Sequence, residues 1–263
     1  MPADILTFIA LPSDCFSRGF MNKLSTIDFL AFMLYCYPLG FVIQGRFMQP
    51  AKRIVISPEL GETRGYEVSF EPLTDHLKER FSKVSFQKYL ALFEKIQKSP
   101  KECILELEIF FKEQPNIPEI ANLLCFAYLQ ANRMTDAEKL IEETYLTHPD
   151  YLFGRINFAD QCLRRKELAK VPVIFNNTFS LGALYPEKKA FHFSEYRGFM
   201  VVIGFYHLAI NEKEKACGFY EKAMRIDPLH SSVIALEKAI SRTNFLKKIR
   251  KYWQKLAHIF LNP

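Results

Sequence analysis

From residue 72 onward, apolar positions recur at the three-and-four spacing of amphipathic helices, starting with Leu73, Leu77 and Phe81 on one face. Upstream the rhythm is different. Tyr66, Val68 and Phe70 alternate with Glu67 and Ser69, the period-two signature of a strand. KRIVIS and GYEVSFE bracket PELGETR, so the pattern predicts a β-hairpin over 52–70. Residues 29–43, FLAFMLYCYPLGFVI, carry no charge and predict an apolar helix over 27–43. The run falls short of the roughly 20 apolar residues of a membrane-spanning helix and contains Pro38. A buried helix is the expected state, with a membrane anchor as the alternative.

The helical part repeats itself. In KACGFYEKAMRIDP at 215–228, Ala216, Tyr220, Ala223 and Pro228 follow Gly204 and the turn residue Asn211, in a unit spanning 197–230. The unit at 118–151 places Cys125, Tyr128, Asn132, Ala137 and Pro149 at matching phases. A looser unit at 84–117 has Leu90, Ala91, Cys103, Leu107, Phe110 and Pro115, with Glu94 where an aromatic is usual. Another begins at Leu152 with Phe158, Ala159 and Cys162. Its second half departs: Val171 replaces the small residue, Pro172 lies inside the second helix, and about a dozen extra residues precede Arg197. Small residues let paired helices approach closely, and large ones fill the groove between units. Asparagine tolerates the left-handed turn, and proline stops the second helix.

This pattern resembles the tetratricopeptide repeat family over roughly 84–230. The resemblance implies an all-α fold, a right-handed α-solenoid of about four helix–turn–helix repeats. An N-terminal extension (1–71) with the helix and hairpin would precede the repeats (72–230), and a basic amphipathic capping helix (231–263) would follow. It also implies a non-catalytic scaffold that binds another protein or peptide along a concave groove. At the groove phases stand Lys88 and Leu92; Asn122, Phe126 and Leu129; Ile156, Asp160 and Leu163; and Val201, Phe205 and Leu208. Leu92 and Phe126 occupy positions where carboxylate-clamping relatives need asparagine, so an apolar guest is expected. The uncharged run 29–43 is one candidate guest.

Composition agrees with helices: Phe is abundant (25 residues) and Gly scarce (10). The net charge of +6 is local. Residues 231–263 hold seven Lys/Arg and one acid, and removing these from totals of 35 and 29 leaves 28 of each elsewhere. In the tail, Phe245, Ile249, Trp253, Leu256 and Phe260 line one side. Lys247, Lys248, Arg250, Lys251 and Lys255 form a basic face suited to capping the stack or meeting an anionic lipid surface. Nucleic acid is not an expected partner.

The six cysteines form no C-x-x-C pair and read as reduced packing residues in a cytoplasmic setting. Phosphate-loop, dinucleotide, H-E-x-x-H and G-x-S-x-G motifs are absent, so neither metal, cofactor nor catalysis is expected. His207 falls at a packing phase. His192, with Lys188, Lys189 and Arg197, lies in PEKKAFHFSEYRG, read as a solvated loop with an anion site as the sharper alternative.

Overall fold

The computed structural model describes residues 53–58 and 64–242. These residues are mostly helical, with one three-stranded sheet. The run 27–43 and the tail cations Lys247, Lys248, Arg250, Lys251 and Lys255 lie outside them.

Strands β1 (Arg53–Ile56) and β2 (Tyr66–Ser69) pair antiparallel, with Ile54 opposite Val68. A third strand, β3 (Ala190–His192), pairs parallel with β2, setting Phe191 opposite Val68. Val68 and Phe191 are fully buried, and the ring of Tyr66 meets Phe191 edge-on at 5.0 Å. Arg64 ties the same region to the carbonyl of Pro186 and the carboxylate of Glu187.

After the short helix α1 (Asp75–Arg80), the helices form hairpins. The first joins α2 (Lys83–Lys98) to a 3-10 turn (Pro100–Cys103) continued by α3 (Ile104–Glu113). The second joins α4 (Pro118–Gln130) to α5 (Met134–Thr147). The third joins α6 (Leu152–Arg164) to α7 (Lys170–Ile174), a single turn and a half. A connection carrying the four-residue α8 (Leu181–Leu184) and β3 then leads to α9 (Phe193–Ala209) and α10 (Lys213–Ile226). Residues 231–242 are helical (α11) and bury Val233, Leu236 and Ile240 at helical spacing. The first helices of the hairpins lie side by side in chain order, α2 on α4, α4 on α6 and α6 on α9.

The turns of the last three hairpins share one chemistry. Asn132, Lys166 and Asn211 each adopt the left-handed conformation, at φ 60°, 62° and 64°. In each case the next amide reaches back to the carbonyl five residues earlier: Arg133 to Tyr128, Glu167 to Cys162 and Glu212 to His207, all at 2.8 Å. This six-to-one bond satisfies a carbonyl that the ending helix leaves open. The small-residue phases are equally physical. A Cβ added at Gly204 would lie 2.6 Å from Leu236 Cδ2, and Cys103, Cys125, Ala137, Ala216 and Ala223 are all buried.

Candidate functional site

The structure places the expected groove residues unequally. Leu92, Phe126, Leu129, Ile156 and Val201 are buried in the packed core. Asn122 is buried too; its Oδ1 accepts from Asn157 Nδ2 at 3.0 Å, joining α4 to α6. Asp160 is buried against Arg164, which binds it at 3.0 Å and reaches Glu138 of α5 at 3.0 Å. Burial raises the Asp160 carboxyl above its ordinary pKa, although the arginine beside it pulls the other way. These seven positions therefore serve as packing and interhelix bonds, a correction to their reading as the lining of an open groove. Lys88 is paired with Glu113 at 3.0 Å and lies over the Phe110 ring. Leu163, Phe205 and Leu208 remain partly exposed.

Three members of the cationic cluster around the start of α9 are also engaged. His192 is the N-cap of α9: its side chain accepts from the Glu195 amide, and Glu195 accepts from the His192 amide at 2.9 Å. The imidazole Nδ1 also lies 2.6 Å from Ser194 Oγ. Accepting at Nδ1 requires the neutral ring, and burial lowers its pKa to about 4. Lys188 binds Glu195 at 2.8 Å, and the buried Arg197 pairs with Asp227. The segment expected as a solvated loop is thus a strand and a helix cap, in which Lys188 and Arg197 are paired while Lys189 stays exposed.

A surface hollow of about 460 Å³ opens elsewhere, lined by Phe179, Tyr206, His207, Ile210, Glu212, Lys215 and Phe219. Its origin lies in the third hairpin. Helix α7 has 5 residues where α5 and α10 have 14. It ends because Asn176 and Asn177 are both left-handed, at φ 51° and 57°, and the Asn177 amide closes back on the Pro172 carbonyl at 2.8 Å. Phe175 stays in the core, edge-on to Phe199 at 5.3 Å. The chain then brings Phe179 against the C-terminal end of α9, with ring centroids 5.3 Å from Tyr206 and 5.2 Å from His207.

The far wall is α10. His207 stacks on Phe219, with centroids 5.4 Å apart and planes 14° from parallel, and Lys222 Nζ lies 5.3 Å from the Phe219 centroid. Glu212 accepts from Lys215 at 3.0 Å and sits 2.7 Å from His207 Nδ1. Burial lowers the His207 pKa against the pull of Glu212, whose own pKa is lowered first by Lys215 and then by His207. The hollow thus offers ring surface, one compensated carboxylate and lysines at its edge. Among the described residues, no group of three or more His, Cys, Asp or Glu is placed to hold a metal ion. No described helix is long and apolar enough to cross a membrane.

Sequence reasoning identified His207 as a packing residue but missed the hollow. The available signal was the Asn176–Asn177 pair immediately after Pro172, two residues suited to left-handed backbone that end a helix early. Nothing in the sequence pairs Phe179 with Tyr206. Compared with protein families, curated proteins and solved structures, the chain finds no match.

Proposed function

We propose that the protein is a tetratricopeptide-type scaffold, a right-handed solenoid of about four units that binds a segment of another protein and has no catalysis of its own. The observation that carries this reading is the recurrent left-handed turn closure at Asn132, Lys166 and Asn211. From Asn132 to Lys166 is 34 residues, the period of that repeat family. Stacked units of this kind expose extended surfaces whose side chains are free to vary while the turns and small contacts hold the frame. The free thiols of Cys103, Cys125, Cys162 and Cys217 fit a reducing compartment such as the cytoplasm.

The test is selection of a displayed random-peptide library on the full-length chain. The scaffold reading expects a convergent consensus whose synthetic peptide binds saturably to folded protein. Failure of the library to converge, or equal binding to heat-unfolded chain, would sink it.

A further inference from the structure

We infer that the joint between β3 and α9 is an acid-released fastening: protonation of His192 parts β3 from β2 and loosens the first turn of α9, while the helical hairpins stay folded. The inference goes beyond the scaffold reading and does not depend on it. Geometry, charge and the shortness of the strand pairing carry it.

His192 does two jobs at one position. As the last residue of β3 it stands opposite Ser69 of β2, which is fully buried. As the N-cap of α9 its side chain accepts from the Glu195 amide, and the Glu195 carboxylate accepts from the His192 amide at 2.9 Å. A protonated imidazole carries hydrogen on both ring nitrogens and accepts nothing. Turning the ring over brings only the other N–H to the Glu195 amide. The cap bond is therefore lost, and two donors are set against each other where strand becomes helix.

Burial already opposes the charge, lowering the pKa of the ring from 6.5 to about 4. The charged groups that act on the ring are Glu195, Arg197 and Lys188. Glu195 favours the cation, but its carboxylate already serves Lys188 at 2.8 Å and the His192 amide. Arg197 and Lys188 disfavour it. Arg197 pairs with Asp227 at the end of α10, and on β2 Glu67 is held by Arg53 at 3.0 Å. Parting the strands gives the ring to water. The open form therefore takes up the proton first as pH falls from about 6.5 towards 4.

The pairing is small enough to open by itself. Strand β3 has 3 residues. Its seal is the edge-on contact of Tyr66 with Phe191 and the stack of Phe70 on Phe193, with centroids 5.0 and 5.1 Å apart. Short elements with few bonds open at lower free energy than the core. Release uncovers the rings of Phe191 and Phe193, an apolar surface that the neutral form keeps packed. Helices α4 and α5 contain no histidine and serve as the internal reference.

The test is amide hydrogen exchange of the full-length chain at pH 7 and pH 5, corrected for the intrinsic rate. Peptides over 64–70 and 188–193 should open about tenfold or more often at pH 5. At both pH values they should remain less protected than α4 and α5. In His192→Asn the cap accepts without titrating, so the increase should stay below about twofold. The inference is overturned if the two peptides open only together with α4 and α5, or if His192→Asn shows the same increase. A second measurement needs no variant. The His192 ring, identified by NMR through its contact with Phe193 at 4.6 Å, should stay neutral down to about pH 5. Uptake of its proton near the ordinary value, with the strand amides still protected, also overturns the inference.

Discussion

The hairpins α4–α5 and α6–α7 begin alike and end differently. Their first helices have 13 residues each, lie side by side and are joined by the Asn122–Asn157 bond. Both first helices end in a left-handed residue with the same six-to-one closure. Then α5 runs for 14 residues and packs on α6, while α7 stops after 5 at a pair of left-handed asparagines. The lesson is that a helical hairpin is set by its first helix and turn, and that the second helix is adjustable. Completing it builds a wall for the next hairpin; stopping it opens a hollow without breaking the series of first helices.

The largest effect should come from Phe175→Ala. If the stub of α7 is core rather than loose loop, losing this fully buried ring costs about 3–5 kcal/mol, measured by urea unfolding. A cost under about 1 kcal/mol would mean that the short helix carries no packing and that the contrast with α5 is one of order, not length. Next comes Asn176→Ala with Asn177→Ala. Alanine at a left-handed position carries the full Cβ penalty of about 1–2 kcal/mol without the asparagine side chain's local bonding to offset it, whereas the glycine pair should be tolerated. Equal stability of the alanine and glycine pairs would show that the turn is not what stops α7.

The helix starts also differ. Helix α6 has Tyr151 at its N-cap with no side-chain cap bond, whereas α9 is capped by His192 as a neutral acceptor. Since the folded pKa is depressed from 6.5 to about 4, the unfolded chain takes up this proton first as pH falls. The His192 contribution is therefore fully present above about pH 6.5 and is lost progressively towards pH 4, by on the order of 1–2 kcal/mol at pH 5. His192→Asn keeps a capping acceptor that does not titrate, so the stability lost between pH 7 and 5 should shrink by that amount. His207, also depressed by burial, contributes a further loss of the same sign that remains in this variant. An unchanged pH slope in His192→Asn would remove the cap from the account. The smallest effect is a gain. Gly218→Ala in the middle of α10 should stabilise by about 0.4–1 kcal/mol, because the new methyl meets open space and the unfolded chain loses freedom.

What the sequence disclosed follows from which interactions are local. The Gly204, Ala216 and Ala223 contacts and the turns at Asn132 and Asn211 depend on residue types that announce their role, small size or tolerance of positive φ. Lys166 adopts the same left-handed turn, but lysine has no such preference, so the third turn was hidden. Strand β3 has 3 residues and owes its existence to β2, far back in the chain. The groove phases failed for a related reason. Position along a repeat says which way a side chain points, and only the neighbouring hairpins decide whether it is covered, as Asn122 is by its bond to Asn157.

The parallel pairing of β2 with β3 has a kinetic consequence. It joins Glu67 to Ala190, 123 positions apart, around most of the helical hairpins. An open row of hairpins gains stability one neighbour at a time, so it can fray from either end and nucleate anywhere. A clasp between distant residues demands loop closure before it returns any contact, which slows the final step of folding. Once shut, it couples the fate of the first hairpins to that of the last. Amide exchange across α2 to α9 should then report one opening event rather than a gradient along the chain.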